Sequence, residues 1–173
     1  MSNSLYDISI KSYLQTLGGI AQVMEKGAAH AANEGINLDE FIDQRMREDM
    51  LPFSFQVISV WHHSLGAIKG LHAGEFRPPP TLEDLSYAKL QGLVAEAASE
   101  LGAMSEDEVN AMAGKDLVFK LSGMELPFKA EDFILSFSLP NFYFHSTTTY
   151  AMLRMMGTPL GKMDFLGAVR VNQ

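Results

Sequence analysis

Cysteine is absent from this 173-residue sequence. A disulfide framework, a thiolate nucleophile and a Cys-ligated metal are therefore excluded. Positive charge is scarce: 13 Lys plus Arg stand against 21 Asp plus Glu, a net charge of −8. A chain of that sign is repelled by phosphate backbones and by anionic lipid surfaces, which argues against nucleic acid and against a membrane as partners. No run approaches the roughly 18 apolar residues that a membrane span requires. The start Met1-Ser2-Asn3-Ser4 carries no basic segment leading into an apolar one, so the expectation is a cytoplasmic protein without a leader. Also missing are a P-loop, an H-E-x-x-H pair, an EF-hand loop and a Gly-rich dinucleotide turn. With 47% hydrophobic residues, the chain suits one domain over 1–173 with a real core.

Apolar residues recur at helical spacing. Ile10, Tyr13, Leu14, Leu17, Ile20, Met24, Ala28 and Ala31 mark one helix from Leu5 to about Ala32, with Gly35 as its stop. Gly18-Gly19 within it predicts a bend or the close approach of a neighbour. A short polar helix is expected from Leu38 to Arg47, with Asp43 and Arg47 one turn apart. Pro52 suits the first turn of a second long helix that carries Val57, Ile58, Trp61, Leu65 and Ile68 and ends near Gly74. Arg77-Pro78-Pro79-Pro80 forces an extended connection. Thr81 with Asp84 predicts the start of a third helix through Tyr87, Leu90, Val94, Ala97 and Leu101, and Ser105 with Glu108 a short helix after it. Between Lys115 and Lys129 the period falls to two around Ser122-Gly123, predicting a small hairpin. The last core helix is expected from Asn141 to Met156, with Phe142, His145, Thr149, Met152 and Met156 on one face. The fold class is all-α: a four-helix bundle with short accessory helices and a small β-hairpin before the last core helix.

Of the five histidines, His63 and His145 fall on inward faces of the second and last long helices. Two imidazoles facing one cavity make a partial ligand set for a metal, to which Thr149 at i+4 from His145 adds a hydroxyl. By pattern alone an inward histidine on a helix is more often a core residue satisfied by hydrogen bonds. Gln56 shares the face of His63, and His30, His62 and His72 read as a helix-end, rim and exposed residue. Ser86-Tyr87-Ala88-Lys89 has the spacing of serine acylases but none of their companion motifs. Met152, Met155, Met156 and Met163 either line an adaptable pocket or fill core and interface gaps.

The segment Pro140-Asn141-Phe142-Tyr143-Phe144-His145, followed by Thr148, Tyr150, Leu153-Arg154, Gly157, Leu160-Gly161-Lys162, Asp164 and Leu166-Gly167, resembles a family of domains of unknown function within the DinB-like, or YfiT-like, superfamily. Leu5-Tyr6-Asp7, Ala29-His30-Ala31, Asp49-Met50, Pro52, Gln56, His63 and Gly66-Ala67 extend the resemblance over nearly the whole chain. The superfamily's four-helix bundles include metal-dependent hydrolases and thiol-cofactor transferases. Their metal is held by one His on the second helix and a His-x-x-x-His pair on the last. His63 and His145 stand where two of these ligands would be, and Thr149 stands in place of the third.

The resemblance therefore implies a degenerate site for a divalent metal, zinc or nickel, and it names no certain cofactor. Two functions follow from it. In one, the chain is a non-catalytic or small-ligand-binding homodimeric module with a pocket of His63, His145, Thr149, Tyr150 and Gln56. In the other, it is a metal-dependent hydrolase or transferase whose divalent ion is held by His63 and His145, with Tyr150 or Asp49 assisting. Superfamily habit and the apolar breadth of the second helix predict the homodimer.

Overall fold

The computed structural model describes residues 3–171, so Met1 and Ser2, part of the start read above for a leader, lie outside the described residues. Helix α1 (Leu5–Ile8) passes through a distorted residue, Ser9, into α2 (Ile10–Glu34). At about 1.5 Å per residue α2 is a rod of roughly 37 Å. Gly35 ends it in the left-handed conformation at φ 68°, as its position predicts. The stripe from Ile10 through Tyr13, Leu17 and Ile20 to Met24 is fully buried. Gly19 admits a neighbour: an added Cβ would collide with the Phe165 carbonyl oxygen, which is where α10 (Lys162–Leu166) crosses.

The polar helix is shorter than its pattern suggests. Only α3 (Leu38–Phe41) forms, capped by Asn37, and the chain then turns, with Arg47 paired to Asp49 rather than to Asp43. The second long helix is α4 (Phe53–Trp61), a π-helical segment His62–Gly66, and α5 (Ala67–Ala73), closed by Gly74 at φ 75°. The third, α6 (Tyr87–Ala103), begins six residues after Thr81, because Ser86 is the N-cap and Asp84 takes a positive φ of 52°. The Ser86 hydroxyl accepts from the Lys89 amide at 3.1 Å, and Lys89 Nζ bonds the Glu83 carbonyl at 2.7 Å, so this Ser-Lys spacing is helix capping. Helix α7 (Glu106–Asn110) carries the expected capping box of Ser105 and Glu108.

The expected hairpin is present as β2 (Asp116–Leu121) and β3 (Met124–Lys129), turning through Ser122 and Gly123, both at positive φ. A strand not read from the sequence, β1 (Glu75–Phe76), adds to it in parallel with Phe76 opposite Phe119. The chain is thus mostly helical with a three-stranded sheet rather than all-α. The last long helix starts well before Asn141: α8 (Ala130–Asp132), a second π-helical segment Phe133–Ser138 and α9 (Leu139–Met155) are continuous. Pro140 stands in the first turn of α9, directly after the π segment. α2 packs against α6 and α9, and α4 packs against the same two. Among the described residues no helix is long and apolar enough to cross a membrane.

Candidate functional site

The two π segments face each other, and the candidate site lies at their contact. A π turn bonds i to i+5, inserts one residue into the helical register and loosens the local bonding. Ser138, the last residue of the second segment, uses that freedom to donate its hydroxyl to the His63 carbonyl of the first at 2.6 Å. The hydroxyl has one hydrogen, so the Tyr13 phenol, 2.7 Å from Ser138 Oγ, must be the donor in that bond. A buried relay therefore runs Tyr13 to Ser138 to His63 C=O, tying α2 to both π segments. Burial also holds the Tyr13 phenol well above its ordinary pKa, so it remains a donor.

His63 and His145 do meet. Their rings are nearly parallel, 12° apart, with centroids separated by 6.0 Å. Gln56 orients His145: its amide Nε2 donates to the Leu51 carbonyl at 2.9 Å, which turns Oε1 toward His145 Nδ1 at 2.8 Å. An amide oxygen only accepts, so Nδ1 carries the proton and the Nε2 lone pair of His145 is the reactive one. His63, 8% exposed, has its Nδ1 buried without a partner among the described residues. Burial, then the neighbouring His62 and His145, lower its pKa to about 3, and burial lowers that of His145 to about 4. Both imidazoles are neutral at pH 7.

Aromatic rings wall the pair. Phe76 and Phe137 pack on His63 with centroids at 5.6 and 5.8 Å, and Phe55 and Phe144 pack on His145 at 5.9 and 5.1 Å. Phe76 arrives on β1 and is backed by Phe119, so the sheet roofs the site. Of these phenylalanines Phe144 stands out in the sequence, within the aromatic run Phe142-Tyr143-Phe144, where it reads first as burial and second as ligand stacking; for Phe76 the change to period two around Phe119 was the available hint. The pair reaches the surface on the side of Phe144, which is 58% exposed.

Other sequence candidates take different places. Thr149 is fully buried and its hydroxyl donates to the His145 carbonyl at 2.9 Å, within its own helix. Tyr150, five residues past His145 and so about 140° round the helix, turns away to pack edge-on against Phe165 at 5.8 Å. His62 is buried rather than at the rim. Its Nε2 donates to the Arg77 carbonyl at 2.7 Å, its ring stacks on Phe76 at 4.5 Å, and Gly66 is required beneath it, since a Cβ there would lie 2.9 Å from His62 Nδ1. His30 lies over Gly157 at the end of α9, and His72 is exposed. Met152, Met155 and Met156 line a separate cavity of about 390 Å³ with Phe41 and Arg45, whereas Met163 is exposed.

A resident zinc or nickel does not fit this donor set. Among the described residues no group of three or more His, Asp or Glu could hold an ion. The third position is a threonine whose hydroxyl serves the backbone, and His62 has its Nε2 engaged. The arrangement suits hydrogen bonding instead: one accepting nitrogen oriented by Gln56, one buried nitrogen lacking a partner, and apolar walls.

A family profile described as Domain of unknown function (DUF1993) matches residues 5–166. Among solved structures, that of a DinB family member from Shewanella denitrificans is similar at a TM-score of 0.79 and 24% identity, covering 98% of this chain and 95% of that one. No curated protein matches.

Proposed function

Because the chain belongs to the DUF1993 family of domains of unknown function, with the fold of a DinB family member, we propose that it is a non-catalytic module. In this reading it is a cytoplasmic, homodimeric four-helix bundle that binds a small molecule at His63 and His145. The observation that carries the reading is the buried His63 Nδ1 without a partner beside an imidazole whose lone pair is held in place. A buried polar atom left unpaired costs about 1–3 kcal/mol, a cost that a ligand bond removes. The ligand presents hydrogen-bonding groups to His63 Nδ1 and His145 Nε2 and a flat or apolar body to Phe55 and Phe144. Gln56 positions the imidazole, and Thr149 supports the helix that bears it.

For the dimer, the apolar breadth of the second helix is a poor argument, since Val57, Ile58, Val60, Leu65 and Ile68 are buried within one chain. Support comes instead from α9, where Phe144 and Met155 are 58% and 65% exposed and lie within about 20° of each other around the helix. Light scattering is expected to give twice the 19.1 kDa chain mass. A monomer mass rejects the dimer.

A second reading, a metal-dependent hydrolase or thiol-cofactor transferase with a divalent ion held by His63 and His145, rests on the proximity of these two rings alone. Metal analysis separates the two. Protein purified without chelator, with zinc, nickel and manganese added back, is compared with His63→Ala and His145→Ala. The binding-module reading expects metal at background in all three. Near-stoichiometric metal, lost in both variants, overturns it in favour of the enzyme.

A further inference from the structure

A second cavity, of about 480 Å³, opens beside α5, α6 and α7, lined by residues apart from the imidazole pair. Its floor is apolar: Ile68, Val109 and Met112 are 2%, 1% and 4% exposed, and Met104 is half-buried. Its rim carries Lys69, His72 and Lys115, all exposed. The volume falls within the roughly 300–1,000 Å³ of small-molecule sites, and an apolar floor with a few polar groups at the mouth is their usual make-up.

The carboxylates near this mouth are already engaged. Glu108, the acid in the lining, is turned onto its own helix, accepting from the Ser105 amide at 2.8 Å and hydroxyl at 2.7 Å, and these bonds hold its carboxyl below the usual range. Lys69 pairs with Glu100 at 2.7 Å. Lys115 makes no ion pair among the described residues. Lys115 is therefore the ammonium at this mouth left to meet an anionic ligand, with the His72 imidazole beside it as a hydrogen-bonding group.

We propose that this cavity binds a small amphipathic carboxylate, its apolar part against Ile68, Met104 and Met112 and its carboxylate at Lys115 and His72. Methionine side chains adapt to chains or rings of differing shape. The ammonium supplies a charge-assisted bond that an uncharged analogue cannot make.

Octanoate and 1-octanol, of equal chain length, are the probes, followed by calorimetry at low ionic strength. Octanoate is expected to bind saturably and about tenfold tighter than octanol, the equivalent of one hydrogen bond to a charged group. Lys115→Met is expected to remove that tenfold preference. Ala111→Trp, at an exposed position on the rim, is expected to abolish binding of both. Unchanged melting temperatures verify that the two variants fold, and His145→Ala binds octanoate like the wild type, which separates this cavity from the imidazole pair. Equal affinity for the two probes, unaltered binding in Ala111→Trp, or no saturable binding overturns the proposal.

Discussion

Acidification tests the buried imidazole most directly. An unfolded histidine has a pKa near 6.5, whereas burial takes folded His63 to about 3. Between those values the unfolded chain binds the extra proton, so stability falls as pH falls. From pH 7 to pH 5 the unfolded imidazole becomes almost fully charged while the folded one stays neutral, a linkage difference of about 2 kcal/mol for this group alone. For a domain of this size that is about 4–8 °C in melting temperature. His62 and His145 are displaced in the same direction and add to the total slope. Asp7, folded pKa about 2, loses its contribution only below about pH 4, so it does not enter this window. His63→Phe isolates the effect by keeping a flat ring among Phe76 and Phe137 while removing the titration. Scanning calorimetry of wild type and variant at both pH values should show the variant losing about 4–8 °C less. In the wild type, the His63 Cε1 proton resonance should not titrate between pH 8 and 5. Equal losses in both proteins, or a His63 resonance titrating near 6.5, would refute the burial argument.

Three other outcomes are expected. Ser138→Ala removes the hydroxyl between Tyr13 and the His63 carbonyl. It leaves a fully buried phenol unpaired and should lower urea-unfolding stability by about 1–3 kcal/mol, while Tyr13→Phe should cost less. Gly19→Ala drives a Cβ into the Phe165 carbonyl. It should destabilise by about 1–3 kcal/mol despite the better helix propensity of alanine, with faster amide exchange confined to α10; stability equal to or above wild type would contradict the close packing. Gln56→Leu removes the acceptor for His145 Nδ1–H. Nitrogen-15 NMR should find His145 protonated on Nδ1 in the wild type and shifted toward the Nε2–H tautomer in the variant.

Much of this was legible in the sequence because it rests on short-range physics. Apolar spacing placed the long helices, positive-φ glycines such as Gly35 and Gly74 stopped them, and period two located the hairpin at Ser122-Gly123. His63 and His145 could be placed on inward faces for the same reason. The misread starts have local causes too. Thr81 and Ser86 both carry capping side chains, and the choice between them fell to Ser86, where Asp39, distant in sequence, also accepts the Tyr87 amide at 2.8 Å. Pro140 suggested a helix start, whereas it sits inside a longer one.

The sequence by itself determined an acidic, cysteine-free, mostly helical chain with two inward imidazoles, and the family resemblance set a threonine where a third ligand would stand. Tertiary structure decided what those imidazoles are. Their parallel contact, the tautomer set by Gln56 and the unpaired His63 nitrogen all depend on two π turns meeting across the core, joined by Ser138 and roofed by Phe76 from β1. A π turn shifts the helical register by a residue without a distinctive local pattern, and a strand of two residues pairs only where its partner is already in place. Both are settled by long-range packing, which residue spacing along the chain does not encode.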